Sequence, residues 1–84
     1  MQLSLFLQRY LKKEREHFAP GEWEVHTVAL QRLLEYFGDV EVADITTSDM
    51  RRFAQYLVIN YSRETREVMT GAVKRALDSY VHAR

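Results

Sequence analysis

The sequence predicts an all-α fold, a compact bundle of four helices. Two observations carry that prediction. Apolar residues recur at i, i+3 and i+4 spacing over four separate stretches, and each stretch is bounded by residues that start or stop helices. Size adds a third. A chain of 84 residues buries only about 60–65% of its unfolded surface, so a single small core is all it can build.

The first helix is predicted over about residues 4–17. Leu3, Phe6, Leu7, Tyr10 and Leu11 supply its stripe, Ser4 is the candidate N-cap, and Lys12, Lys13 and Arg15 suit the negative end of the helix dipole. The run "FAPGEWE" then breaks the chain. Pro20 fits the first helical position, and Glu22 and Glu24 fall in the first turn, where negative charge is favoured.

The second helix, about 21–37, presents Trp23, His26 or Thr27, Leu30, Leu33, Leu34 and Phe37, and Gly38 is placed to end it with a left-handed residue. "DVEVADI" is too short to form a sheet. It reads as an extended connector with Val40, Val42 and Ile45 tucked into the core. Thr46 and Asp49 form a capping-box signal for a third helix over about 47–61, packing through Met50, Phe53, Ala54, Tyr56 and Leu57. Ser62 caps the fourth, about 63–82, whose core face is Thr65, Val68, Met69, Ala72, Val73, Ala76, Leu77 and Tyr80. No segment reads as a sheet strand, and no repeat, low-complexity tract or linker divides the chain, so residues 1–84 are expected to be one domain.

Composition narrows the function. The 46% hydrophobic content is too high for a disordered tail. No apolar run approaches the ~20 residues needed to span a bilayer, and the opening "MQLSLFLQRYLKK" places its charges after the apolar stretch, the reverse of a secretory signal. With no cysteine there is no thiolate zinc site and no cysteine nucleophile. A cytoplasmic location without membrane contact is the expectation.

Formal charge is zero, with 12 basic and 12 acidic residues, but the charges are segregated. Residues 1–17 carry four basic and two acidic groups, net +2. Residues 18–50 carry Arg32 against seven acids, net −6. Residues 51–62 (Arg51, Arg52) and 63–84 are each net +2. Basic segments flank an acidic middle, which provides an electrostatic footprint if they share a face.

No catalytic constellation is present. His17, His26 and His82 are scattered, with no HExxH or i, i+4 pair, and read as surface or helix-end residues. Glu22 and Glu24 point ~160° apart on a helix and cannot share a site. The tyrosines suit core packing or half-buried hydroxyls. No P-loop, GxGxxG or GxSxG occurs. No metal and no cofactor are expected. The surface offers more. Arg66, Thr70 and Lys74 stand at i, i+4 and i+8 on the fourth helix, with Gly71 beside them and Arg63 and Arg75 nearby. Such a row suits a phosphate backbone or a groove. It also suits an ordinary solvated face, and Glu67 and Asp78 dilute its charge. A mid-helix glycine costs ~1 kcal/mol relative to alanine. Close approach of a ligand backbone and close helix packing are both adequate reasons for it.

The order of these pieces, "SLFLQRYLKKE", then "LQRLLEYFGDVEVADITTSDMRRFAQYL", then "SRETREVMTGAVKRALDSYV", resembles the N-terminal core-binding domain of tyrosine recombinases and phage integrases, a SAM-like four-helix domain. The likeness rests on a leucine-rich helix ending in Phe-Gly-Asp, a short apolar spacer, Ile-Thr, and an acid opening the next helix. It covers essentially the whole chain.

The resemblance implies a DNA-binding module for DNA integration or recombination, phage- or bacterially encoded and nucleoid-associated. It would be half of a C-shaped clamp on duplex DNA and would not itself be an enzyme. The other half, a C-terminal catalytic domain carrying the arginines, histidine and nucleophilic tyrosine, is expected to be absent from this chain. The parent would act as a recombinase tetramer on DNA, and the fragment alone would be monomeric. Contacts through the second and fourth helices then map onto Arg63, Arg66, Thr70, Lys74 and Arg75. On the second helix the family often has threonine in the first turn and tyrosine four residues later, where this sequence has Glu22 and His26. Because Glu22 and Glu24 repel phosphate, Thr27, Gln31 and Arg32 are the candidates there, with His26 joining them if it points outward. The acidic stretch around residues 35–53 identifies the family without being expected to touch DNA. A different class of function, a helical protein–protein interaction module using Trp23, Tyr36 or Ile59, is the alternative.

Overall fold

Leu3, Phe6, Leu7 and Tyr10 share one face of the first helix, α1 (Leu3–Glu14), and all four are buried. The computed structural model describes the backbone of residues 1–82 and the side chains of residues 1–80. Where the sequence predicts continuous helix to residue 17, Arg15–His17 tighten into a 3₁₀ turn that ends in an extended Phe18. Ser4 is not the cap. Gln2 precedes the helix in extended conformation without a side-chain bond. The orphan donors of the first turn are met from far along the chain: the Ser4 N–H donates to Asp39 Oδ1 at 2.8 Å and the Leu3 N–H to the Val40 carbonyl at 2.7 Å.

The second helix, α2 (Pro20–Phe37), starts on its proline after an extended Ala19. It buries His26, Ala29, Leu30 and Leu33, with Leu34 and Phe37 packed against that row. His26 therefore takes the core position that the sequence leaves open between it and Thr27, and is not a surface or helix-end histidine. Gly38 ends the helix at φ 75° and ψ −175°, a region essentially confined to glycine. Its φ is positive as expected, but ψ is extended, so the chain leaves the helix straight instead of curling. The connector then runs beside the start of α1. Val42 N–H donates to the Met1 carbonyl at 2.9 Å, Gln2 and Glu41 form an antiparallel bridge, and the Met1 amine pairs with Glu41.

Val42–Asp44 is a 3₁₀ turn, not extended chain. Val42 is buried and Ile45 half-buried, whereas Val40 is 36% exposed. Val40 serves through its main chain, because its side chain alternates away from the core as its carbonyl reaches α1.

The third helix, α3 (Thr47–Asn60), opens on the predicted capping box. Thr46 Oγ1 accepts from the Asp49 N–H at 3.1 Å, and Asp49 Oδ2 accepts from the Thr46 N–H at 2.9 Å. Those hydrogen bonds hold the Asp49 carboxyl below the usual aspartate range. Phe53 and Leu57 are buried, and Met50, Ala54 and Tyr56 are half-buried.

The fourth helix, α4 (Arg63–His82), follows Ser62, whose Oγ accepts from the Thr65 N–H at 3.4 Å. Met69, Val73 and Ala76 are buried, with Ala72, Leu77 and Tyr80 packed beside them. Two predicted core positions are outside. Thr65 is spent on the cap, its Oγ1 accepting from Ser62 at 3.0 Å. Val68, ~140° around the helix from Val73, is 53% exposed.

The bundle has a radius of gyration of 12.2 Å, close to the ~12 Å expected for a folded chain of this length. α4 touches all three other helices, most extensively α2, so these two form the centre of the domain. Among the described residues the single β-type pairing is the Gln2–Glu41 bridge. No helix among them is long and apolar enough to cross a membrane.

Candidate functional site

The predicted contact residues occupy three places, not one continuous face. The first is the edge of α4 turned toward α3. Thr70 and Lys74 are exposed there and line a groove with residues of α3 and the connector. Arg63 lies on the same edge one helix turn before Glu67, which its Nε meets at 3.3 Å. That pair is exposed at both ends and contributes little to stability. Arg66 is half-buried. It is seven residues before Val73 and so only ~20° from it in projection, much nearer the core stripe than its spacing with Thr70 and Lys74 suggests.

The second place is the junction of α4 with the start of α2. Arg75 projects ~100° from Lys74, and its guanidinium carbon lies 4.7 Å from the centre of the Phe18 ring. Phe18 in turn stacks on His26 at 4.5 Å, and His26 lies 5.5 Å from Tyr10, centroid to centroid. Burial, helped by the Arg75 charge, pushes the His26 pKa below its ordinary value, and burial pushes the Tyr10 phenol up. His26 Nε2 and the Tyr10 hydroxyl are both buried without a hydrogen-bond partner. Phe18, His26 and Arg75, with Gly21, Glu22, Val25, Val68, Gly71 and Ala72, surround a shallow groove of 440 Å³. A Cβ on Gly71 would meet nothing within 4 Å, so close helix packing is not the reason for this glycine.

The third place is α2. Thr27 turns its hydroxyl onto the Glu24 carbonyl at 2.8 Å. It lies ~160° around the helix from Val25, hence on the opposite edge from the α2–α4 groove. Gln31 is exposed. Arg32 is committed to the fold: its Nε donates to the Tyr61 hydroxyl at 3.0 Å and its Nη1 to Glu35 Oε2 at 2.8 Å, which holds its pKa up. With His26 inside the core, α2 offers fewer free polar groups than the sequence suggests.

Arg51 is not among the sequence-predicted contact residues, yet it lines the same groove as Thr70 and Lys74. It faces Lys74 across the α3–α4 groove, and the sequence signal for it was the net +2 of residues 51–62. Among the described residues no group of His, Asp and Glu is arranged to hold a metal ion. His17 is exposed, and the His82 side chain lies outside the described residues.

A family model described as phage integrase, N-terminal SAM-like domain, matches residues 2–58. The chain belongs to that family. Neither the curated proteins nor the solved structures yield a match. The matched stretch runs from the start of α1 almost to the end of α3, and so includes the Gly38 stop, the connector and the capping box. The integrase SAM-like domain is a different part of these proteins from the catalytic domain. α4, with its five candidate residues, lies beyond the matched stretch, so their assignment rests on chemistry and placement alone.

Proposed function

We propose that this integrase SAM-like domain binds duplex DNA as one half of a clamp. The other half would be the catalytic domain of the parent tyrosine recombinase, and the SAM-like domain would carry out no chemistry itself. The carrying observation is family membership over residues 2–58. Support comes from α4, where Arg63, Thr70 and Lys74 stand exposed along one edge and can follow a phosphate backbone. Arg66 sits at the inner margin of that edge. Arg75, held against Phe18, reaches a phosphate on the other flank of α4. Gln31 and Thr27 are secondary contacts, and Arg32 contributes field more than hydrogen bonds. In the parent, DNA and the catalytic domain are the partners, within a tetramer assembled on the recombination site.

Binding by the isolated domain is weak and mostly sequence-independent, because phosphate contacts dominate. A duplex-DNA column at low salt tests the proposal. Retention at about 50 mM salt, with release as salt rises, is expected of a phosphate binder. Flow-through at that salt favours the second reading, a protein-docking module. One observation speaks for that reading: Ile59 on α3 is 83% exposed, and an apolar side chain so open to water suits a partner surface.

A further inference from the structure

The groove between α3 and α4 is lined largely by apolar side chains and has a volume of 490 Å³. Val42 forms part of its floor, and Ile45, Met50, Ala54 and Leu77 line it. Its walls carry one cation each, Arg51 on α3 and Lys74 on α4. Both are exposed, and among the described residues neither is in an ion pair. Thr70 adds a hydroxyl one helix turn before Lys74, and Asp78 adds an acid one turn after it.

We propose that this groove is a docking site for an acidic amphipathic segment of a protein partner. The segment's apolar side chains enter between α3 and α4, and its carboxylates meet Arg51 and Lys74. Apolar lining of this extent is of no use to a phosphate backbone, which needs donors and cations. It is what an apolar helix face needs, and a methionine in the lining lets the surface adapt to the side chain received. The paired cations select an acidic segment over a basic one. The proposal goes beyond the DNA reading and does not depend on it.

The test uses the 84-residue chain, isotopically labelled, and a synthetic amphipathic peptide of leucine, phenylalanine and glutamate. A counterpart with lysine for every glutamate, and a short DNA duplex, serve as comparisons. The glutamate peptide is expected to shift the resonances of Met50, Ala54 and Leu77. Arg51→Ala and Lys74→Ala should each weaken it by roughly threefold, the size of an exposed charge contact. Both residues are exposed, so the variants are expected to fold. Equal binding of the lysine peptide, shifts confined to other surfaces, or unchanged affinity in both variants overturns the proposal. So does a duplex that perturbs the groove lining while the peptide leaves it unmoved. Failure of the DNA reading alone leaves the peptide shifts in place.

Discussion

Phe18 and His26 stack face to face with ring centroids 4.5 Å apart, and the Arg75 guanidinium carbon lies 4.7 Å from the same Phe18 ring. The contact ties the turn after α1, the start of α2 and the middle of α4 into one aromatic joint. It also fixes the protonation of His26. A histidine that is 4% exposed and near a guanidinium is held neutral, its pKa below the usual value.

Stability should therefore depend on pH through His26. The unfolded chain takes up the proton near pH ~6.5, the folded chain only lower. Between those values the unfolded state binds more protons, so stability is full above ~6.5 and falls as pH drops through the depressed folded value. Urea unfolding followed by the fluorescence of Trp23, the sole tryptophan, should show a midpoint that declines from about pH 7 to about pH 5. The decline is expected to flatten in His26→Leu. In Arg75→Ala the His26 pKa, read by NMR titration, should move up toward the ordinary value. Parallel pH profiles for the native chain and His26→Leu would contradict the assignment.

The Tyr10 hydroxyl is buried without a partner, while its ring meets Phe6 at 6.0 Å and His26 at 5.5 Å. Tyr10→Phe keeps the rings and removes an orphaned polar group, whose burial costs about 1–3 kcal/mol. The variant is expected to be at least as stable as the native chain, by thermal unfolding. A loss of more than about 1 kcal/mol would mean that the hydroxyl is hydrogen-bonded.

Gly38 and Gly71 should respond in opposite directions. Gly38→Ala forces a side chain onto φ 75° and should destabilise by about 1–3 kcal/mol. Gly71 sits in helix with open space around it, so Gly71→Ala should stabilise by ~1 kcal/mol. A Gly71→Ala variant that is more stable yet binds DNA less well would show that the glycine serves close approach by a ligand. Unchanged DNA affinity would assign it no such role.

How much of this was legible in the sequence follows from the range of each interaction. The capping box, the Pro20 start and the stripe of α1 depend on residues a few positions apart, and each appears where the sequence put it. The cap of α1 does not, because its acceptors Asp39 and Val40 arrive from a segment more than thirty residues away. Val68 matched the α4 stripe in spacing, yet the packing direction of α2 against α4 leaves it outside. His26 and Arg32 show the same limit for the candidate site. A histidine and an arginine on a helix look available in sequence, but one is absorbed by Phe18 and Tyr10, and the other by Tyr61 and Glu35.

The central claim is that α4 grips duplex DNA through its exposed cations, and the salt dependence of duplex affinity tests it most directly. The native chain should bind weakly, with affinity falling linearly on a log–log plot against salt. Lys74→Ala and Arg66→Ala should weaken binding to all sequences alike and each lower the slope by about 1, Lys74 more cleanly because it is exposed while Arg66 is half-buried. Affinity and slope unchanged in both variants, or no duplex binding at low salt, would contradict it.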